Sequence, residues 1–213
     1  MSGDAWVLAT RSVGKVRELV PWFADRGVAV VGLDAVGLAW SVEEESIEGF
    51  DTFEGNAVAK ARWYAARTGR VCIADDSGLV VDALGGAPGV RSRRFAADLG
   101  IDDPSRSEDA RNNDALIARL RSVNAPTPWT ARYVCVAACA EGERIVVARG
   151  ECGGRILASA RGTGGFGFDP HFWSDELGAT FAEATLEAKA AVSHRGRAFA
   201  SLLAQLTPTA RGR

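Results

Sequence analysis

The sequence predicts an α/β fold, a mixed β-sheet flanked by helices. Two observations carry this. The chain opens as strand, short loop, helix, strand, the pattern of a parallel βαβ unit, and a β-hairpin signal follows later. Glycine-rich segments fall at strand ends, where they would line a cleft.

The elements follow in order. Trp6-Val7-Leu8-Ala9 reads as a buried first strand. Val16, Leu19, Val20 and Phe23 fall at i, i+3, i+4 and i+7, one face of a helix, with Pro21 inside it as a candidate kink. Gly27 would cap that helix before a strand over Val28 to Val31. An acidic loop, Glu43 to Gly49, precedes an Ala-rich helix from about Phe53 to Thr68. Val71 to Ala74 is a short apolar strand with Asp75 and Asp76 at its carboxyl end, and Val80-Val81 continues an extended segment into the loop Gly85 to Gly89. Ser107 would N-cap a helix with Glu108 and Asp109 in its first turn and Leu116, Ile117 and Leu120 on its buried face. Arg132 to Ala140 and Arg144 to Arg149 read as a hairpin about Glu141-Gly142-Glu143. A second glycine-rich loop spans Thr163 to Phe168, and Phe199, Leu202, Leu203 and Leu206 mark a last helix. No repeat or linker interrupts the chain, so we expect one domain over residues 1–207 and a disordered polar tail, 208–213.

Composition narrows the function. The net charge of −2 argues against a duplex-binding surface, so no nucleic-acid partner is expected. No basic, then apolar, leader opens the chain, and no apolar run approaches the ~20 residues of a bilayer span, so no membrane association is expected. The four cysteines, Cys72, Cys135, Cys139 and Cys152, form no CxxC pair, which argues against zinc. They read as reduced core thiols of a cytoplasmic protein.

Five constellations could carry chemistry. Thr10-Arg11-Ser12-Val13-Gly14-Lys15 joins the first strand to the first helix, where backbone N–H groups, the helix dipole and two cations suit a polyphosphate. It is not a P-loop: Ala9 stands at the first glycine position and Val16 follows the lysine. Taken alone it reads equally as an ordinary βα turn. Asp75-Asp76-Ser77-Gly78 sets two carboxylates after a buried strand, where a hard cation such as Mg²⁺ would offset their repulsion; a capping turn is the plain alternative. Asn56 and Lys60 share a helix face at i, i+4, with Asn56 a candidate to touch the substrate and Lys60 a candidate for catalysis. Gly162 to Pro170 allows close backbone approach and offers Phe166 or Phe168 to stack on a base, with one of the two expected in the core. Lys189, His194 and Arg195 close the set, the arginine offering a fixed fork of donors for a keto oxygen.

These segments together resemble the inosine triphosphatase (Ham1-like) family of non-canonical purine nucleoside triphosphate pyrophosphatases. The resemblance runs from Thr10 to about Leu206. It rests on Thr10 to Lys15, Thr52-Phe53-x-x-Asn56-Ala57, Ala74 to Leu79 with Gly85 to Gly89, and Gly164 to Pro170 with Ser193 to Gly196. It implies an elongated mixed sheet, two lobes with an active-site cleft between them, and a homodimer. It also implies Mg²⁺-dependent hydrolysis of ITP, dITP and XTP to monophosphate and pyrophosphate, cleansing the nucleotide pool. In the family pattern the first loop and Lys60 hold the triphosphate. Asp76 readies the water, and Asp75 and an acid before Thr52-Phe53 complete the metal environment. Ser77 touches phosphate or ribose, Phe166 stacks on the purine, and Gly167, Phe168, Asp169, Lys189, His194 and Arg195 surround and read it. Three positions depart from the family: Ser12 replaces the usual Asn, Phe168 the commoner Tyr or Trp, and a glycine is displaced in Glu48-Gly49-Phe50-Asp51. Glu48 is then the metal acid by its distance from Thr52, with Glu45 the alternative.

Rival classes are weaker. A binding module without catalysis does not account for paired acids where phosphate should sit. A nucleophilic triad lacks a Gly-x-Ser-x-Gly elbow and has only His171 and His194 to draw on. A related pyrophosphatase acting on modified pyrimidines is separable by a nucleotide panel.

Overall fold

The computed structural model describes residues 5–206. The C-terminal tail expected to be disordered lies outside them. Strands β1 (Trp6–Leu8), β2 (Val30–Gly32), β3 (Cys72–Val81), β4 (Trp129–Glu141), β5 (Arg144–Ile156), β6 (Phe172–Ser174) and β7 (Ala179–Thr180) form one mixed sheet in the order β2-β1-β3-β4-β5-β6-β7. β1 pairs in parallel with β2 and β3, whereas β6 is antiparallel to β5 and β7. The helices are α1 (Val13–Ala24), α2 (Phe53–Thr68), the short α3 (Phe95–Asp98), α4 (Glu108–Ser122), α5 (Leu186–Val192) and α6 (His194–Leu206).

The single domain read from the sequence divides into two compact units. The first takes the chain up to Asp76, residues 135–150 and the chain from Arg195 on; the second takes residues 77–134 and 151–194.

In the first unit, α2 is closed at both ends by the residues that the sequence offers for it. Thr52 Oγ1 accepts from Gly55 N at 3.1 Å, and Gly69 takes the left-handed conformation at φ 63°. Its small face, Ala57 and Ala61, packs on Val7 and Ala9 from the β1 segment and on Cys72 and Ala74 of β3. Pro21 lies inside α1 without ending it, and Leu19, Trp22 and Phe23 form the buried face; Val16 and Val20, expected there, are only partly buried. The acidic loop is more ordered than its composition implies. It contains a 3-10 helix, Val42–Ser46, at whose start Ser41 N donates to Glu44 Oε1 at 3.4 Å and Glu44 N to the Ser41 carbonyl at 3.0 Å.

In the second unit, Ser107 Oγ caps α4 by accepting from Ala110 N at 3.2 Å. Leu116, Ile117 and Leu120 join Leu79, Val81, Tyr133, Phe168, Phe172 and Phe181 in the core. β4 and β5 meet at the two-residue turn Gly142-Glu143, with Gly142 at φ 55°, as the hairpin signal required. All four cysteines are free and buried.

Candidate active site

The expectation that the acidic pair ends a strand is corrected by the structure. β3 runs unbroken through it from Cys72 to Val81, so Asp75 and Asp76 sit mid-strand with side chains on opposite faces. Both are buried. Buried carboxylates need compensation, and in the first unit it arrives from three distant segments.

Lys15, in the first turn of α1, brings Nζ to 3.0 Å from Asp75 Oδ2 and donates to the Asp75 carbonyl at 3.2 Å. Lys60, from the middle of α2, donates to the same carbonyl at 3.0 Å and pairs with Glu48. Arg195 Nε donates to Asp75 Oδ2 at 3.3 Å, while its Nη1 pairs with Glu18 at 2.7 Å. Cys135 adds a fourth donor, its Sγ 3.7 Å from Asp75 Oδ2. Burial pushes that thiol well above its ordinary range, so it stays protonated.

The two aspartates are driven apart electrostatically. Burial alone would raise Asp75, but Lys15, Arg195 and Lys60 outweigh it and hold the carboxyl well below the usual range. For Asp76 burial prevails: Lys60, Lys15 and a hydrogen bond from Asn56 offset only part of it, and the pKa ends raised. Lys60 is itself held above its ordinary value, burial being outweighed by Glu48, Asp76 and Asp75.

The loop before α1 is held by its own hydroxyls. Ser12 N donates to Thr10 Oγ1 at 3.1 Å, and Ser12 Oγ caps α1 by accepting from Lys15 N at 3.4 Å. Val13 and Gly14 open the helix, Val13 with its side chain exposed. Arg11, expected to face phosphate, is committed elsewhere. It grips Glu44 through two bonds, 3.0 and 2.8 Å, and donates to the Leu38 carbonyl at 3.0 Å. Tyr64 OH donates to the same Glu44 carboxylate at 2.6 Å. Asn56, also expected on substrate, is buried and bonded to Phe50 and Asp76. Between the two acids offered for the metal, Glu48 is the one beside Lys60, while Glu45 is exposed.

No group of three or more His, Cys, Asp or Glu gathered for a metal occurs among the described residues. The corner fits a different kind of site, a hard cation completed by phosphate oxygens and water. It sets the Glu48 and Asp76 carboxylates close enough to act on each other's charge, and the neighbouring Asp75 keeps one buried oxygen, Oδ1, with no hydrogen-bond partner among the described residues.

The second unit holds the aromatic loop. Asp169 is buried; its Oδ2 accepts from Phe166 N at 2.9 Å and from Lys189 Nζ at 2.6 Å, and its Oδ1 from Tyr133 OH at 3.4 Å. Gly165 permits this: at φ +70° a Cβ there would lie 2.0 Å from Asp169 Oδ2. Gly167 N donates to Asp109 Oδ2 at 2.7 Å, and its carbonyl accepts from Asn113 Nδ2 at 2.8 Å. Lys189 Nζ lies 5.0 Å from the centre of the half-buried Phe166 ring, a cation–π contact. Phe168 is the aromatic that enters the core, so it forms no open wall. His194 stacks on Tyr133 at 4.5 Å and is buried. Ser77, half-buried, follows Asp76 on β3. Gly78 next to it has no room for a Cβ, which would lie 2.2 Å from the Gly89 carbonyl.

The sequence reading missed Glu18, Glu44, Cys135, Asp109 and Asn113. Glu18 had a signal, its i+3 spacing from Lys15 on one helix face. Cys135 had none, being one of several small residues in an apolar strand.

A hollow of about 640 Å³ in the first unit, lined by Trp6, Arg62, Arg70 and Arg144 among others, contains none of the site residues and carries no part of this chemistry.

A sequence profile described as the Ham1 family matches residues 6–205. A protein of Symbiobacterium thermophilum named dITP/XTP pyrophosphatase is 46% identical, covering 97% of this chain and 96% of its own. One of Geobacter sulfurreducens with the same name is 44% identical, covering 92% and 93%. The solved structure of a HAM1 protein from Coxiella burnetii superposes with a TM-score of 0.78 at 31% identity, covering 95% of this chain and 98% of that one.

Proposed function

Because this chain belongs to the Ham1 family, we propose that it hydrolyses non-canonical purine nucleoside triphosphates, ITP, dITP and XTP, to the monophosphate and pyrophosphate with Mg²⁺. The relatives named dITP/XTP pyrophosphatase support the substrate class. The observation that carries the chemistry is that Lys15 and Lys60, from two helices, converge on the Asp75 carbonyl beside Asp76.

In this reading the first unit handles the triphosphate. Backbone N–H groups from Thr10 to Lys15 bind phosphate oxygens at the start of α1. Lys15 and Lys60 offset the charge that builds on the departing pyrophosphate. Glu48 and Asp76 would hold Mg²⁺, which when bound polarises phosphate and lowers the pKa of water; Asp75, the third acid expected on the metal, points to the other face of β3. Asp76, its pKa raised by burial, accepts the proton of the water that attacks the α-phosphorus. Asp75, kept ionised by its cations, anchors them and does not exchange protons. Two acids pushed apart in pKa divide the work in this way.

The second unit handles the base. Phe166 stacks on the purine, while Lys189 and His194 offer donor polarity to a 6-keto oxygen, and Ser77 touches phosphate or ribose. Asp169 holds Lys189 and the Phe166 loop in place. Arg195, first assigned to the base edge, instead holds Asp75. A 6-amino group presents hydrogen where an acceptor is needed, and each mispaired buried donor costs about 1–3 kcal/mol. We further propose that the enzyme works in the cytoplasm as a homodimer that cleanses the nucleotide pool.

A triphosphate panel assayed for pyrophosphate against phosphate, with and without Mg²⁺, tests the reading. Pyrophosphate from ITP, dITP and XTP far faster than from ATP, only with the metal, is the expected result. Release of single phosphates, or equal rates on ATP, would sink it.

A further inference from the structure

We infer that Asn56 is a positioning residue that sets the spacing of the Glu48 and Asp76 carboxylates, and is not a ligand of the substrate's phosphates. The inference rests on the proposal that these acids hold the cation. The amide of Asn56 has two N–H donors, and both are spent: Nδ2 donates to Asp76 Oδ2 at 3.0 Å and to the Phe50 carbonyl at 3.1 Å. Its Oδ1 accepts from Phe50 N at 2.9 Å. No donor is left for a phosphate oxygen.

What the three bonds do is join two segments of different origin. Asp76 rides β3, whose place is set by sheet pairing. Glu48 lies in a loop without sheet partners, two residues before Phe50. Asn56 grips both the N–H and the C=O of Phe50, as a neighbouring strand would, and ties that grip to Asp76. Gly55 allows the approach, since a Cβ there would lie 2.8 Å from Phe50 Cβ. One turn further on the same face of α2, Lys60 pairs with Glu48 directly. Asn56 and Asp76 are buried, so the bond between them is shielded from water, while the two bonds to Phe50 lie nearer the surface. A carboxylate oriented by such a partner binds a cation in one defined geometry, and loss of partners of this kind weakens metal affinity by about 10–100-fold.

The test measures Mn²⁺ alone, by electron paramagnetic resonance without nucleotide, on wild type, Asn56→Ala and Asp76→Asn. Steady-state constants are then taken at saturating Mn²⁺. We expect Asn56→Ala to bind Mn²⁺ about 10–100-fold more weakly with KM for the triphosphate nearly unchanged. A folded Asn56→Ala protein with wild-type Mn²⁺ affinity overturns the inference, and a raised KM in that protein would return Asn56 to the phosphates. Wild-type Mn²⁺ affinity in Asp76→Asn, or no Mn²⁺ bound by the wild type either alone or with inorganic triphosphate added, overturns the underlying reading instead. Circular dichroism reports folding; if the alanine variant does not fold, Asn56→Gln, which displaces the amide by one methylene, is judged by the same criterion.

Discussion

In the first unit, Lys15, Lys60 and Arg195 crowd around one aspartate, and in the second, a single lysine and aspartate hold an aromatic loop. The first arrangement is a dense mixture of charges: Lys15, Lys60 and Arg195 are met by Asp75, Asp76, Glu48 and Glu18, so that a divalent cation would be needed beside the phosphates. The second is electrically closed: Lys189 and Asp169 cancel, and what remains on offer is a ring face and a few donors. The proposed reading assigns phosphate to the first kind of chemistry, highly charged, and the base to the second, flat and nearly neutral. It also separates rate from selectivity, since changes in the first unit should alter turnover and changes in the second should alter which base is accepted.

Asp76→Asn is the largest expected break. It keeps the shape and removes the proton acceptor, so kcat for pyrophosphate release should fall about 10²–10⁴-fold with nucleotide Kd little changed. Turnover near wild type would take Asp76 out of the chemistry.

Arg195→Ala should cost about 3–5 kcal/mol of stability, because Asp75 and Glu18 both lose a buried partner; urea unfolding measures it. ITP and ATP hydrolysis should suffer alike. A loss confined to ITP would move Arg195 back to the base and blur the division between the units.

Phe166→Ala should raise KM for ITP by about 1–3 kcal/mol of lost stacking and leave kcat largely intact. A fall in kcat with constant KM would contradict its role.

Acid should act on the first unit through Glu44. Burial alone would raise its pKa, but Arg11 and Tyr64 bring it below the usual value. A depressed carboxyl contributes stability above its unfolded pKa of about 4.3, and that contribution is lost as pH falls through the folded value. Glu44→Gln should therefore flatten the fall in thermal midpoint below about pH 4.3; an unchanged acid limb would show that other carboxylates set it.

The smallest change is Ser12→Ala. Its hydroxyl caps α1, so about 1 kcal/mol of stability should be lost with KM unaltered. A raised KM would mean that the hydroxyl meets phosphate as well.

Local chemistry was legible in the sequence. Thr52 and Gly69 bracket α2, Ser107 starts α4, and Gly142 turns the hairpin, because each acts on backbone a few residues away. The course of β3 was not legible. Two adjacent acids read as a strand end, and only compensation from Lys15, Lys60 and Arg195, far off in the chain, allows the strand to continue. The site shows the same limit. Residue types and loops could be named in advance, but whether Arg11, Asn56, Asp169 and Arg195 face a ligand or each other depends on partners that no spacing rule reveals. One of Phe166 and Phe168 was expected in the core, and Phe168 is the one that enters it, while Phe166 stays half-buried; no spacing rule told the two apart.

The pairing of β1 with β3 sets Val7 against Cys72 and Leu8 against Ile73. The lysine loop and the acidic pair therefore leave adjacent rungs of one ladder, and their separation is a matter of strand spacing. Adding one residue inside Cys72–Asp75 would exchange the faces of the two acids and of the buried residues around them, and should cost the protein its stability along with the site.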